Sequence, residues 1–399
     1  MTNEMKNVPE LRFPEFEDEW KENFISEIVD FYSGLTYSPD DITNEKGTFV
    51  IRSSNIKNNR LINADNVYVN LKNLKVEMVN KGDIIVVVRN GSRKLIGKHA
   101  LVSTYLNNTV IGAFMTGIRS DYNLFINALL DTENFKRNIH MNLGATINQI
   151  TTGMFKKMNF YFPENGEQQK IGGFFSKLDR QIELEEQKLA KLEEQKKGYM
   201  QKIFSQQLRF KDENGNNYPE WEKRKLNEIA DFQNGKAHES YVSETGNYIL
   251  VNSKFISTEA QVKKYVSQQL TPLNQQDIAI VMSDIPNGKA LAKCFLVEEN
   301  NKYSLNQRIG RLYNILGDSR FVYAILNRNK QLLKYDSGVG QTNLKKSEIT
   351  EIMINWPVQD EQQKIGNLFR RFDDFIEGQS QKIELLKDRK KGFLQKMFV

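Results

Sequence analysis

The chain has 399 residues, of which 39% are hydrophobic and 27% are charged, and its formal net charge is +6. A single hydrophobic core stops growing near about 250–300 residues, so we expect at least two domains. No apolar run approaches the roughly 20 residues of a membrane-spanning helix, which excludes a membrane protein. The positive charge favours a polyanionic partner, and we expect a cytoplasmic location because the first residues carry no secretion signal.

From the N-terminus onward, strand-like runs alternate with Gly, Asn and Asp residues that indicate turns. One helical pattern, NLFINALLDTENFKRNI at 123–139, interrupts them. We therefore expect a first mixed α/β domain over residues 1–165. Its strand-like runs are GTFVIRSSNI (47–56), NADNVYVNL (63–71), KGDIIVVVRNGS (81–92), KHALVSTYLNNTVIGAFMTGI (98–118) and KMNFYF (157–162).

Residues 166–206 predict a long helix. Steps of alternately four and three residues, the spacing of a coiled-coil seam, meet apolar side chains in this segment, with polar Glu185 and Lys196 as exceptions. A helix from Glu167 to Phe204 would be roughly 55 Å long at about 1.5 Å per residue. The apolar seam positions are Ile171, Phe175, Leu178, Ile182, Leu189, Leu192, Tyr199 and Ile203.

A second mixed α/β domain over residues 207–359 repeats the order of the first. Its strand-like runs include NYILVNSKFI (247–256) and EIMINWP (351–357), and its helical pattern is FVYAILNRNKQLLKY (321–335). A second long helix follows over 360–399, with polar Gln379 and Lys390 at the seam steps equivalent to Glu185 and Lys196. Its apolar seam positions are Ile365, Phe369, Phe372, Ile376, Ile383, Leu386, Phe393 and Met397.

Each seam has two interpretations. A single amphipathic helix lying on its own domain is one, and a coiled coil between the two copies is the other. The apolar stripe is narrow, which favours one partner helix, and the matching polar steps would fix the register. The short connections around the first helix predict that the two helices run antiparallel. The fold class is therefore α+β, with two mixed α/β domains separated by two long helices that form an antiparallel coiled coil.

One verbatim repeat and two pairs of similar segments establish an internal pseudo-two-fold duplication. EQQKIG occurs at 167–172 and at 361–366, and KKGYMQKIF at 196–204 matches KKGFLQKMF at 390–398. LRFPEFEDEW and LRFKDENGNNYPEW open the two domains. We interpret EQQKIG as the junction of domain and helix, where polar groups suit the helix dipole. Because Phe204 precedes Leu208 closely, we also expect Phe398 near Leu11.

Catalytic and metal-binding patterns are weak. The three histidines are far apart in sequence, and Cys294 is the one cysteine, so we expect no metal site and a buried apolar role for the thiol. GSRKLIGK at 91–98 differs from a phosphate-binding loop by one residue in spacing and by the histidine that follows it. Gly338 and Gly340 begin a dinucleotide fingerprint that is not completed. We expect no catalysis by this chain alone.

The loops between strands collect the residue types that bind phosphates and base edges: Arg, Lys, Asn, Gln, Ser and Thr. An ordinary polar surface is the alternative for any one of them, but the clusters recur in both domains. In the first domain they are Arg52, Ser53, Asn55, Lys57, Arg89, Asn90, Ser92, Arg93, Lys94, Lys98, Thr146 and Asn148. In the second they are Asn252, Ser253, Lys254, Ser283, Asn287, Lys289, Lys293, Gln307, Arg308, Gln341, Thr342 and Asn343.

These motifs together resemble the specificity subunit of type I restriction-modification systems. The resemblance rests on the duplication, the Gly-x-Thr loops at 144–146 and 340–342, the proline that closes the next apolar stretch, EQQKIG, and the long helix ending in KKGYMQKIF or KKGFLQKMF. It extends over nearly the whole chain. One departure is that the second domain lacks the basic run of residues 89–98, which leaves the place of its base-reading loop open.

The resemblance implies a non-catalytic, DNA-binding subunit. Each domain would be a target-recognition domain that reads one half of a bipartite sequence in double-stranded DNA, and the helices would set the unread spacer. Two modification subunits would supply S-adenosylmethionine-dependent adenine methylation, and two restriction subunits would supply ATP/Mg-dependent translocation and cleavage. No cofactor would be bound by this chain. A coiled-coil scaffold that binds proteins and a self-sufficient restriction enzyme are the alternative hypotheses.

Overall fold

The computed structural model describes residues 7–70, 76–143, 148–285, 288–336 and 338–399. The chain divides into two units, which we call unit 1 (Met1–Gln187 with Gln381–Val399) and unit 2 (Lys188–Ser380). Each unit therefore contains one globular part together with a portion of both long helices. Within the described ranges, no helix is long and apolar enough to cross a membrane. The four-segment division of the chain stays a prediction.

The first half of the chain contains twelve strands and four α-helices in its described residues. They are β1 (Lys21–Phe24), β2 (Asp30–Ser33), β3 (Ile42–Thr43), β4 (Thr48–Ile51), β5 (Ile56–Lys57), β6 (Arg60–Leu61), β7 (Val67–Val69), β8 (Ile84–Val87), β9 (His99–Leu101), β10 (Thr109–Ile111), β11 (Met115–Arg119), α1 (Asn123–Leu129), α2 (Glu133–Asn142), α3 (Thr152–Lys156), β12 (Asn159–Phe162) and α4 (Asn165–Phe204).

The second half follows the same order. Its elements are β13 (Glu222–Lys225), β14 (Asp231–Asn234), β15 (Tyr248–Val251), α5 (Ser253–Ser257), β16 (Tyr265–Val266), β17 (Pro272–Leu273), β18 (Ile278–Val281), β19 (Ser283–Asp284), β20 (Cys294–Leu296), β21 (Tyr303–Leu305), β22 (Ile309–Tyr313), α6 (Ser319–Leu326), α7 (Lys330–Leu333), β23 (Thr342–Asn343), α8 (Lys346–Thr350), β24 (Met353–Trp356) and α9 (Gln359–Met397).

The four-stranded antiparallel sheets of the two units correspond strand by strand, whereas the second sheets differ in their outer strand, because β3 pairs with β7 and β17 pairs with β21. The antiparallel order β2-β11-β8-β9 in unit 1 becomes β14-β22-β18-β20 in unit 2. The second sheet of each unit contains one parallel pair, β4 with β10 and β15 with β21. Short antiparallel pairs, β1 with β12 and β13 with β24, precede the long helices. The central strands β8 and β18 are buried along their whole length, which fits their continuous apolar sequence.

Two predictions of local structure were wrong in detail. Each single helical pattern is two helices, because the side chains of Thr132 and Asn329 accept hydrogen bonds from Phe135 N and Gln331 N and start new helices. The strand-like run 247–256 is strand only to Val251, since the Asn252 side chain caps α5 in the same way. In both cases a polar cap overrides the surrounding apolar pattern. Cys294 is buried, as expected, and burial raises the pKa of its thiol.

Within each unit the long helices pack antiparallel, as predicted. In unit 1 the rings of Phe174 and Phe393 lie 5.1 Å apart, and further along α4 Glu185 pairs with Lys382 at 2.8 Å. In unit 2 the rings of Phe204 and Phe369 lie 5.7 Å apart, and Lys196 pairs with Asp373. All of the predicted seam residues except Tyr199 are buried or half-buried.

The repeated hexapeptide anchors each globular part to its helix. Glu167 is fully buried and accepts two hydrogen bonds from the Arg12 guanidinium, at 2.8 and 2.7 Å, and one from Trp20 Nε1 at 3.2 Å. In unit 2, Glu361 is equally buried and accepts from Arg209 at 3.2 and 2.7 Å. The Arg and Trp are those of the LRF and EW repeats, so these motifs meet in space. Besides the predicted interaction with the helix dipole, the glutamate therefore holds the opening segment of its unit against the helix.

The next residues of the hexapeptide complete the junction. Gln168 and Gln362 donate to the carbonyl oxygens of Pro163 and Pro357 at 2.9 and 2.7 Å. A Cβ atom at Gly172 would lie 2.5 Å from the backbone nitrogen of Phe125, at the start of α1. Glycine is therefore required there because α1 crosses α4 closely.

The C-terminal end of α9 meets the opening of unit 1, as expected from the duplication. Leu11 N donates to Lys396 O at 2.8 Å, and Leu208 N donates to Lys202 O at 3.0 Å at the equivalent place in unit 2. The rings of Phe398 and Trp20 lie 6.1 Å apart.

Candidate nucleic-acid interface

Three of the predicted clusters of unit 1 meet at one place. The chain after β8 pairs with the segment before α3 through a bridge between Arg89 and Gln149. Asn90 N donates to Asn148 O at 3.2 Å, and the Asn90 side chain donates to Ser53 Oγ at 3.0 Å. Contacting residues that are 37 to 60 positions apart in sequence thus form one surface, which we call the unit 1 junction: Ser53, Arg89, Asn90, Asn148 and Gln149.

The cations around the unit 1 junction are exposed. Arg89, Arg93 and Lys94 have exposed side chains, and a short 3₁₀ helix over Arg93–Leu95 carries the last two. The strand β9 follows this segment, so GSRKLIGK does not lead into a helix as a phosphate-binding loop would. Among the residues that the structure describes, no carboxylate pairs with these three cations. They are available to a polyanion.

Other predicted residues of unit 1 shape the loops. Asn55 is buried; it accepts from Arg52 N at 2.9 Å and donates to Ala64 O at 2.6 Å, so its amide is used within the protein. The Arg52 guanidinium donates to Asp65 O. Burial lowers the pKa of the half-buried Lys98. Lys57 and Ser92 are exposed, whereas Ser53, Asn90 and Asn148 are half-buried, and Thr146 lies outside the described residues.

Unit 2 forms an equivalent junction with different side chains. Here β19 pairs with β23, so Ser283 lies opposite Asn343, and Gln341 Nε2 donates to Ser283 Oγ at 2.6 Å. Met282 N donates to Arg308 O at 3.0 Å, which brings the turn before β22 to the same place. We call Ser283, Arg308, Gln341 and Asn343 the unit 2 junction. Arg308, Gln341 and Asn343 are exposed and Ser283 is buried.

The remaining predicted residues of unit 2 differ in whether their side chains are exposed or already bound within the protein. Lys293 pairs with Glu259 at 3.0 Å, and Gln307 donates to Glu239 at 2.8 Å. Asn252 caps α5, and Thr342 is buried. Lys254 and Lys289 are exposed, Ser253 is half-buried, and Asn287 lies outside the described residues.

The repeat offset of 194 residues reveals a residue that the composition of the loops did not. It places Arg89 at the position of Ser283, and Phe114 at the position of Arg308. Phe114 O accepts from Val88 N at 3.0 Å, as Arg308 O accepts from Met282 N. The Phe114 side chain is 52% exposed, and the Arg89 guanidinium lies 4.9 Å from its ring centroid. A search for polar residues alone could not find it.

A buried ion cluster ties α9 to the globular part of unit 1. Lys390 pairs with both Asp131 and Asp179 at 2.6 Å. Burial lowers the pKa of Lys390, but the two carboxylates reverse this and raise it above its usual value. Burial raises the pKa of Asp179, whereas for Asp131 the charges of His99 and Lys390 outweigh burial and lower the pKa. In unit 2 the equivalent pair is Lys196 with Asp373, the counterpart of Asp179.

Fold and junctions together define an internally duplicated protein, with two mixed α/β units that each present one loop junction. The family model for the type I restriction modification DNA specificity domain matches residues 17–194 and 218–388. The chain belongs to this family.

Three known proteins illustrate the similarity. The chain is 24% identical over 201 residues to the type I restriction enzyme MjaVIII specificity subunit of Methanocaldococcus jannaschii, covering 49% of this chain and 46% of that protein. It is 26% identical over 195 residues to the StySPI specificity subunit of Salmonella potsdam, covering 47% and 42%. The chain thus spans about half the length of these curated relatives.

The fold is also similar to a solved structure. The crystal structure of the type I restriction-modification S subunit from M. genitalium superposes with a TM-score of 0.65 at 18% identity, covering 98% of this chain and 99% of that one. This likeness concerns the fold alone.

Proposed function

We propose that this chain is the sequence-specific DNA-binding specificity subunit of a type I restriction-modification complex, and that unit 1 and unit 2 each read one half of a bipartite target. The observation that carries the proposal is the pair of equivalent junctions. Each gathers loops distant in sequence onto one surface with exposed Arg or amide side chains, while the antiparallel four-stranded sheet beneath them has the same strand order in both units. Two domains with a similar fold and different loops suit a DNA target that has two different half-sites.

The junction chemistry fits double-stranded DNA. Guanidinium and ammonium groups bind phosphate oxygens, and Arg, Asn and Gln side chains form paired hydrogen bonds with guanine or adenine edges. Arg89, Arg93 and Lys94 in unit 1, and Arg308 and Asn343 in unit 2, expose such groups. The buried Asn55, Ser283 and Thr342 support these loops and are not proposed as DNA contacts.

The helices have two roles in this proposal. Their length sets the spacer between the half-sites, and their outer faces dock two modification subunits. Exposed apolar side chains support the docking role: Leu184 and Leu385 in unit 1 and Phe375 in unit 2 are 41%, 60% and 64% exposed. Two restriction subunits complete the complex. In this proposal the modification subunits bind S-adenosylmethionine, the restriction subunits bind ATP and Mg²⁺, and this chain performs no catalysis alone.

The family match does not favour a protein-binding scaffold without DNA reading. The decisive experiment is genome-wide mapping of methylated adenines in cells with and without the gene. We expect one bipartite motif to lose methylation when the gene is deleted. A methylation pattern unchanged by the deletion contradicts the proposal. Cleavage of DNA by the purified chain without partners would instead support a self-sufficient enzyme.

A second experiment tests the unit 1 junction as a phosphate-binding surface. Replacing Arg89, Arg93 and Lys94 together by alanine should weaken DNA binding and reduce the slope of log affinity against log salt by up to about 3. The matched control replaces three exposed lysines of α4, Lys191, Lys197 and Lys202, which removes the same charge elsewhere. An unchanged slope in the junction variant would remove this loop from the interface.

A further inference from the structure

The two junctions each present one arginine side chain, but from different segments of the chain. In unit 1 it is Arg89, on the chain that follows β8, and in unit 2 it is Arg308, in the turn before β22. These two segments lie next to each other in both units, since Phe114 O accepts from Arg89 N at 3.2 Å and Arg308 O accepts from Met282 N at 3.0 Å. The arginine thus lies on different, neighbouring segments in the two units, while the contact between these segments is the same.

Neither guanidinium group has a hydrogen-bond or ion-pair partner in the described part of the chain. Some other arginines of the units are held by carboxylates: Arg119 pairs with Asp83 at 3.1 Å in unit 1, and Arg311 pairs with Asp277, the counterpart of Asp83, at 2.7 Å in unit 2. Among the residues described, neither the Arg89 nor the Arg308 guanidinium donates to a carboxylate or a carbonyl oxygen. An exposed Arg with all five donors available is suited to paired hydrogen bonds with an external acceptor.

Phe114 explains why Arg89 has a defined direction. A large aromatic ring exposed by 52% has no role in the core of unit 1. The Arg89 guanidinium lies over its face at 4.9 Å, which is a cation–π distance. A cation–π contact uses the face of the guanidinium and not its N–H donors, so these remain available to an external acceptor. In unit 2 the corresponding partner position is the small, buried Ser283, so Arg308 has no such platform.

We infer that Arg89 and Arg308 are the corresponding specificity-determining residues of the two halves, that each reads a guanine edge, and that Phe114 positions Arg89 for this reading. The inference rests on the proposed function and adds to it the residues and the base. An Arg fork paired with O6 and N7 of guanine is the commonest specific major-groove contact. Loop divergence then changes specificity by moving one guanidinium between adjacent segments and not by rebuilding the fold.

The test is selection of binding sites from a randomised duplex library, using the full chain purified with modification subunits. Arg89→Lys keeps the charge but loses the planar fork, so preference for guanine should fall roughly 10-fold or more at one position of one half-site. Arg308→Lys should have the same effect in the other half-site alone. The salt slope of binding should stay unchanged in both variants, because the charge is retained.

The positioning role of Phe114 has to be tested with a measurement that a loss of stability alone would not change. Phe114→Ala should lower the same guanine preference as Arg89→Lys, and Phe114→Tyr should restore it because the ring face is retained. The control is Tyr105→Ala, which removes an aromatic residue of unit 1 that is 85% exposed and should leave the selected motif unchanged. All of these side chains are exposed, so thermal melting should show folded variants.

The outcomes separate the inference from the proposed function. If the unmodified chain selects no bipartite motif, the proposed function fails. If it selects one but Arg89→Lys and Arg308→Lys retain every base preference, the proposed function stands and the guanine assignment is overturned. If Phe114→Ala matches the unmodified chain, or Phe114→Tyr fails to restore the preference lost in Phe114→Ala, the positioning role is overturned.

Discussion

Unit 1 and unit 2 are nearly identical where the globular part meets its helix and differ where the loops meet each other. The Arg–Glu–Trp contacts recur although Arg12 and Trp20 are 8 positions apart and Arg209 and Trp221 are 12 apart. The insertion is accommodated in a turn in which Asn216 N donates to Asp212 Oδ1 at 2.7 Å. A buried charge tolerates little change in its partners, whereas a solvated loop tolerates insertion freely.

The ion pairs of Lys390 and Lys196, by contrast, differ between the two units although the helix positions are equivalent. Lys390 in unit 1 pairs with two carboxylates and is 13% exposed, whereas Lys196 in unit 2 pairs with Asp373 and is 20% exposed. The helix position is repeated, but its surroundings come from the diverged globular parts. Equal sequence positions therefore do not guarantee equal energies. The predictions below test where the two units remain equivalent.

The largest effect is expected at the buried glutamates. Arg12→Ala in unit 1 and Arg209→Ala in unit 2 each leave a fully buried carboxylate without its ion partner, and each should lower the free energy of unfolding by about 3–5 kcal/mol. Chemical denaturation measures the loss. The control Lys136→Ala, in the exposed pair with Glu133, should have no measurable effect. A large loss in one unit only would break the equivalence.

The helix lysines should separate the units. Lys390→Ala leaves Asp131 and Asp179 facing each other and should cost about 3 kcal/mol, whereas Lys196→Ala should cost about 1 kcal/mol or less. Thermal or chemical unfolding compares the two variants directly. Equal losses would show that neither the second carboxylate of unit 1 nor the lower exposure of Lys390 affects the stability.

Adjacent glycines in α4 provide an internal control. Gly172→Ala places a Cβ against the backbone of Phe125 and should cost about 1–3 kcal/mol, whereas nothing lies within 4 Å of a Cβ at Gly173. Gly173→Ala should therefore stabilise the helix by about 0.5–1 kcal/mol. Gly366→Ala in unit 2 should behave as Gly172→Ala does. Unfolding curves in which both α4 variants are equally stable would contradict a close crossing of α1 over α4.

The smallest effect is expected from a circular permutation. The variant joins Val399 to Asn7 through a short flexible linker and has new chain ends between Gln206 and Gln207. The link between α4 and the start of unit 2 is thereby replaced by the equivalent link between α9 and the start of unit 1. Because Leu11 N and Leu208 N make the same contact with the end of a long helix, the midpoint of thermal unfolding should move by only a few degrees. The selected DNA motif should be retained. Loss of folding would contradict the equivalence of the two connections.

Much of the fold follows from the pattern of residues. The four-three spacing predicts both long helices, and the repeated segments predict the duplication and the contact of α9 with Leu11. The breaks at Thr132 and Asn329 were not predicted, because one polar cap within an apolar pattern is a weak signal. For the interface, residue types predicted the loops in general, but they did not distinguish the buried Asn55 and Ser283 from the exposed Arg89 and Arg308.

The sequence by itself determined the repeated architecture, since periodicity and identical motifs are local properties that can be read without coordinates. It could not assign a contact to each motif. Only the tertiary structure showed that Glu167 is buried between Arg12 and Trp20, which lie about 150 positions away, and that Phe114 lies beneath Arg89. Burial and partnership depend on which distant segments the fold brings together, and these decide whether a polar side chain stabilises the protein or faces its ligand.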